Sequence, residues 1–147
     1  MEFSFRNGRY LTDAVTAAKQ ADAAIVFATQ WMSEAYDVPD LSLPQGQDAL
    51  IEAVAAVNPH TIVVLETGGP VLMPWFDETA AVVEAWYPGA RGAEALTSIL
   101  TGDVTPSGRL PVTFPASVAQ LPRPTLSGSD TFDPNFGVLP GALRRFP

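Results

Sequence analysis

The sequence predicts an α/β fold, a three-layer α/β/α sandwich on a mostly parallel sheet with an extended C-terminal tail. Three observations predict it. The chain has 147 residues, 47% of them hydrophobic and only 16% charged, enough for one buried core. Its first 105 residues alternate short apolar runs with segments of helical spacing. The apolar runs are continuous rather than alternating, as in strands of a parallel sheet covered on both faces.

Leu11, Val15 and Ala18 share one helical face. Ala23-Ala24-Ile25-Val26-Phe27-Ala28 reads as a first strand, buried on both faces. A polar loop runs from Thr29 to Leu43. Leu50, Val54 and Val57, with Ile51 alongside, make the next helix, which Asn58-Pro59 ends because the residue before proline avoids helical angles. Thr61-Ile62-Val63-Val64-Leu65-Glu66 is a second strand, broken by Thr67-Gly68-Gly69-Pro70. Residues 80–86 read as a third strand, with Trp86 inside its pattern, turned by Tyr87-Pro88-Gly89. Ala93, Leu96, Ile99 and Leu100 mark a last helix, capped by Gly102. Residues 109–114 read as a short strand, placed at a sheet edge by Pro111.

Six of the fourteen prolines fall in residues 1–105 and eight in residues 106–147. This shift divides the chain into a sandwich domain, residues 1–116, and a Pro/Gly/Ser-rich tail, residues 117–147.

Composition excludes several functions. Eight Lys and Arg against sixteen Asp and Glu give −8 at pH 7, the wrong sign for nucleic acid or an anionic membrane. Cysteine is absent, and His60 is the single histidine, so no thiolate site and no multi-histidine zinc site can be built. No apolar run reaches a membrane span, and residues 1–8 do not read as a signal peptide, which as written implies a cytoplasmic chain. There is no dinucleotide fingerprint, Walker loop or nucleophile elbow. His60 precedes a strand and reads as a surface or capping residue.

In a parallel sheet, ligands bind beyond the carboxyl ends of the strands. That rule gathers three loops: Thr29–Leu43, Thr67–Trp75 and Tyr87–Gly92. The first carries Glu34, Asp37 and Asp40 with Trp31 and Tyr36. Clustered carboxylates raise one another's pKa, which suits a general acid, and flat aromatic faces can stack on sugar rings. The same residues also fit a solvated acidic loop with an aromatic in the core. Glu34, Asp37 and Asp40 at i, i+3, i+6 are a candidate Ca²⁺ site, without the spacing of an EF-hand. Gly68 and Gly69 can present backbone N–H groups to an oxyanion, or simply make a tight turn.

Several motifs in order carry a resemblance. Ser33-Glu34-Ala35-Tyr36-Asp37, Pro39-Asp40-Leu41-Ser42-Leu43-Pro44, Thr67-Gly68-Gly69-Pro70-Val71, Met73-Pro74-Trp75, Ala85-Trp86-Tyr87-Pro88-Gly89 and the stretch from Gly102 to Pro115 are similar to the second domain of family 3 glycoside hydrolases, the β-glucosidase type. The resemblance covers residues 10–124. It implies an α/β sandwich packed on a separate barrel that holds the nucleophilic Asp. It also implies that the loop after the first strand lends the acid/base, a place Glu34 occupies, with no cofactor required. Ala35 and Val38 stand where the family usually has Gly and Arg.

The expected function is a hydrolase of glycosidase descent. The catalytic residue is Glu34, with Trp31, Tyr36, Gly68, Gly69 and Trp75 at the substrate. Two alternatives stay open. One is a stand-alone ester or lactone hydrolase assisted by Ca²⁺ on Glu34, Asp37 and Asp40. The other is a non-catalytic carbohydrate-binding or accessory domain, with Trp31, Tyr36 and Trp75 as platforms and Trp86 in the core. The expected partners are a small-molecule substrate and either the barrel domain or a second copy in a homo-oligomer, tail-exchanged in one version.

Overall fold

The computed structural model describes residues 2–34, 38–122, 132–133 and 137–138. Six main elements build the domain in the order α1 (Leu11–Gln20), β1 (Ala24–Thr29), α2 (Gln47–Ala55), β2 (Thr61–Glu66), β3 (Ala81–Glu84) and α3 (Gly92–Leu100). The strands form a parallel sheet in the order β1-β2-β3, so the α/β architecture expected from the apolar runs is present. Val26 and Ala28 of β1 lie opposite Val63 and Leu65 of β2, and Val63 lies opposite Val82 of β3. These side chains share one face. Ile51 and Val54 of α2 cover it, with Leu43, Val71 and Trp75 closing the core.

The first strand departs from the expectation of burial on both faces. Ala24, Val26 and Ala28 point into the core, whereas Ile25 is 44% exposed and Phe27 52% exposed. The reason is topological: β1 is an edge strand of this sheet, while central β2 buries Val63, Val64 and Leu65 in succession. A continuous apolar run does not distinguish the two positions.

The first helix also turns differently. Its buried residues are Ala14 and Ala18, and Leu11 is exposed. α1 lies against α2, and alanines let the two helices approach closely. At its C-terminus, Asn58 Nδ2 donates to the carbonyls of Ala18 (2.9 Å) and Ala21 (3.0 Å). Asn58 Oδ1 accepts the His60 N–H at 2.9 Å, and His60 Nδ1 lies 2.9 Å from the Asp22 carbonyl. His60 thus holds the amino-terminal edge of the sheet, far from the site loops in the strand direction.

Two expectations about strands are corrected. Residues 109–114 form no ladder; Leu110 and Val112 are exposed, and Pro111 has no N–H to give a neighbour. Trp86 lies outside β3, which ends at Glu84, and its φ is +54°. A strand cannot continue through that angle. The predicted cap at Gly102 is present: its φ is +84°, and its N–H bonds the Ile99 carbonyl at 3.1 Å. Beyond residue 116, Val118–Gln120 is a 3₁₀ turn, and Phe132–Asp133 pairs antiparallel with Gly137–Val138.

Candidate functional site

Three loops leave the carboxyl ends of the strands and are tied to one another there. The Gln30 N–H donates to the Glu66 carbonyl at 3.2 Å, which carries the β1–β2 pairing one residue past the strand. Tyr87 Oη donates to the Gln30 carbonyl at 2.6 Å. The Leu72 N–H donates to the Leu41 carbonyl at 2.8 Å. The loops after β1, β2 and β3 therefore share one edge, as the parallel-sheet rule requires.

Gln47 secures the start of the first loop. Its Oε1 accepts the Thr29 N–H and its Nε2 donates to the Thr29 carbonyl, both at 2.8 Å. This amide completes the edge strand as a neighbouring strand would. Asp48 does the same for the loop's other end. One carboxyl oxygen accepts the Leu43 N–H (3.1 Å) and the other accepts the Trp75 indole N–H (2.7 Å).

The predicted residues separate into distinct roles. Glu34 is exposed, in a turn four residues beyond Gln30. Trp31 is 58% exposed on the same loop. Tyr36 and Asp37 lie outside the described residues, so the proposed Ca²⁺ triad is described for Glu34 and Asp40 alone. Asp40 Oδ1 accepts both the N–H and the hydroxyl of Ser42, making a local turn. Among the described residues no three acidic or histidine side chains gather to hold a metal.

Trp75 is a correction. It is fully buried, with its indole N–H on Asp48. A buried ring cannot stack on a sugar, so it belongs to the core. Trp86, half-buried, meets Phe114 edge-on with ring centroids 6.2 Å apart.

Gly68 sits at the centre of the loop cluster. A Cβ there would lie 2.9 Å from Tyr87 Oη and 3.0 Å from Met32 Sδ. The glycine is required because the loops after β1 and β3 both close on its backbone. Gly69 is less confined: the same atom there would lie 3.5 Å from Met32 Cε. Its carbonyl accepts the Thr67 hydroxyl at 2.8 Å.

One residue escaped the sequence reading. Glu84, the last residue of β3, turns its half-buried carboxyl toward the neighbouring loop. Oε1 accepts the Trp86 N–H at 2.7 Å, and Oε2 lies 3.3 Å from the Thr67 hydroxyl. Burial pushes its pKa up from the ordinary 4.5, against the opposing pull of hydrogen bonds from Trp86 and Thr67. The available signal was a lone carboxylate at the end of an apolar run, two residues before a tryptophan that leads into Tyr-Pro-Gly.

The arrangement offers an exposed carboxylate on a tethered loop, with an exposed indole three residues before it in sequence. Protonated, such a carboxyl can donate to a leaving oxygen; ionised, it can take a proton from water. Comparisons with known proteins match this chain to a family. Residues 4–139 match the model of the glycosyl hydrolase family 3 C-terminal domain. A β-glucosidase of Rhizobium radiobacter is 42% identical over 134 residues, covering 89% of this chain and 15% of the relative. β-Glucosidase B of Emericella nidulans is 46% identical over 121 residues, covering 79% of this chain and 14% of the relative.

Solved structures agree. DesR, a β-glucosidase from Streptomyces venezuelae in complex with D-glucose, superposes with a TM-score of 0.71 at 54% identity, covering 73% of this chain and 14% of that one. The β-D-glucoside glucohydrolase of Trichoderma reesei superposes with a TM-score of 0.74 at 32% identity, covering 81% and 18%. The chain thus spans between 14 and 18% of the length of these relatives. On the family match and these identities, the chain belongs to the C-terminal domain family of glycosyl hydrolase family 3.

Proposed function

We propose that this chain is the acid/base-bearing part of a β-glucoside hydrolase, with Glu34 as the proton donor and acceptor. The observation that supports this most is the placement of Glu34. It is an exposed carboxylate on the loop leaving β1, at the edge where all three loops meet. The relatives reported above are named β-glucosidases or a β-D-glucoside glucohydrolase, which supports β-glucosides as the substrate class.

The chemistry follows from what a single carboxyl can supply. Retaining glycoside hydrolysis uses two carboxyl groups about 5–5.5 Å apart. One attacks the anomeric carbon, and the other protonates the departing oxygen. The second group then removes a proton from the water that releases the sugar. Glu34 takes this second role, and a carboxylate outside this sequence supplies the nucleophile. Trp31, exposed and three residues before Glu34, is the proposed stacking face for the sugar.

The test joins this chain to the rest of such an enzyme. In the R. radiobacter relative, the matching segment is replaced by this chain, and aryl β-glucoside hydrolysis is measured. The chimera is expected to be active and the 147-residue chain alone inactive. Glu34→Gln in the chimera should lower kcat by about 10²–10⁴-fold, the usual worth of a positioned acid/base. A Glu34→Gln chimera as active as its parent overturns the assignment.

A further inference from the structure

Glu84 is a half-buried carboxyl that the proposed chemistry does not use. Its hydrogen bonds nevertheless lead from β3 to the loop of Glu34. Oε1 holds the Trp86 N–H at 2.7 Å. Trp86 has φ +54°, one of two non-glycine residues with positive φ among those described. A bulky residue adopts that conformation only when its surroundings impose it. The bend turns the next residue, Tyr87, back across the strand ends, where its hydroxyl reaches the Gln30 carbonyl at 2.6 Å. Gln30 is 6% exposed and opens the loop that carries Glu34 four residues later. The second oxygen of Glu84 faces the Thr67 hydroxyl, whose own bond to Gly69 shapes the turn beneath Tyr87.

We infer that Glu84 is a positioning residue: by fixing the left-handed bend at Trp86 it sets Tyr87 on Gln30, and so fixes the root of the loop that presents Glu34. The inference rests on the reading of Glu34 as the acid/base. A residue that only filled space at the end of β3 would be apolar, like Val82 on the same face. A carboxyl loses hydration there, and burial raises its pKa. What it gains are two acceptor oxygens, each aimed at a different loop.

Two measurements test this. The first is NMR of the whole chain, reading amide hydrogen exchange at Trp86 and the carbonyl ¹³C shift of Gln30, the group that accepts the Tyr87 hydroxyl. In Glu84→Ala, the Trp86 amide should exchange at least about tenfold faster and the Gln30 carbonyl should move toward its position in Tyr87→Phe, with the amides of Ile51 and Val54 of α2 unchanged. Glu84→Gln keeps an acceptor for the Trp86 N–H and should restore both readings, the amide to within about threefold of the parent. Tyr87→Phe should shift the Gln30 carbonyl while Trp86 stays protected. If Glu84→Ala releases Trp86 and leaves the Gln30 carbonyl unshifted, Glu84 is a local turn cap and the inference is wrong. Should Glu84→Ala not fold, Tyr87→Phe decides: an unshifted Gln30 carbonyl overturns the link.

The second measurement uses the chimera. Glu84→Ala should lower kcat/KM by about tenfold on glucosides with poor leaving groups, with little loss on those with good ones. An equal loss on both overturns the positioning role. The NMR pattern does not depend on what Glu34 does. An active Glu34→Gln chimera would therefore refute the acid/base reading while leaving the NMR result intact.

Discussion

The two ends of the sheet use the same device and leave different remainders. At the amino end, Asn58 ties the last carbonyls of α1 to the start of β2, and His60 bonds back to Asp22. The polar side chains there serve to hold the backbone. At the carboxyl end, Gln47, Asp48, Glu84 and Tyr87 hold the backbone equally well. Yet Glu34 is left exposed on the surface, beside the join. The lesson is that a carboxylate outside a well-satisfied frame is the first place to look for chemistry. Among the described residues, no buried side-chain nitrogen or oxygen lacks a partner.

Substitutions at the frame should therefore cost stability, and substitutions at the remainder should cost only chemistry. The largest effect is expected at Trp75. Trp75→Ala should destabilise the chain by about 3–5 kcal/mol, read from urea denaturation, because it opens a cavity and strips Asp48 of its donor. Asn58→Ala should cost about 2 kcal/mol, since the carbonyls of Ala18 and Ala21 both lose its amide at the end of α1. A loss below about 0.5 kcal/mol would place Asn58 outside the frame and blur the contrast between the ends.

Glu84 joins frame and chemistry, and pH separates them. Burial raises its native pKa above the ordinary 4.5, so the folded chain keeps the proton to higher pH than the unfolded chain does. Its contribution to stability is full below about pH 4.5 and declines as pH rises through the native pKa. The hydrogen bonds recorded to its carboxyl come from Thr67 and Trp86. Glu84→Gln cannot titrate, so its stability relative to the parent should improve across that window and then level off. A slope of opposite sign would show the hydrogen bonds outweighing the desolvation. The smallest effect is expected at Glu34. Glu34→Gln should change stability by less than about 0.5 kcal/mol, because the side chain is exposed. A larger loss would mean that Glu34 belongs to the frame.

What the sequence discloses follows the physics of each signal. The three strands and three helices are legible because burial imposes period on the chain, as at Leu50, Ile51 and Val54. The convergence of the loops follows from parallel topology alone. Burial within a loop imposes no period, so Trp75 and Trp31 look alike in sequence although one is core and the other exposed. Position in the sheet is equally silent, which is why β1 reads as buried on both faces. Trp86 continues an apolar run, and only the left-handed angle held by Glu84 shows that the strand has ended. The importance of Glu84 lies in its partners at Thr67 and Trp86, seventeen and two residues away. Spacing analysis does not connect such positions.

The most direct measurement of the central claim is the dependence of kcat/KM on leaving group in the chimera, with and without Glu34→Gln, because kcat/KM reports the step in which the leaving group departs. If Glu34 gives the departing oxygen its proton, the loss in kcat/KM is steep for alkyl glucosides and shrinks toward nothing for aryl glucosides whose leaving groups need no proton. A loss that is the same across the series, or no loss at all, contradicts the account and moves the acid/base to another residue.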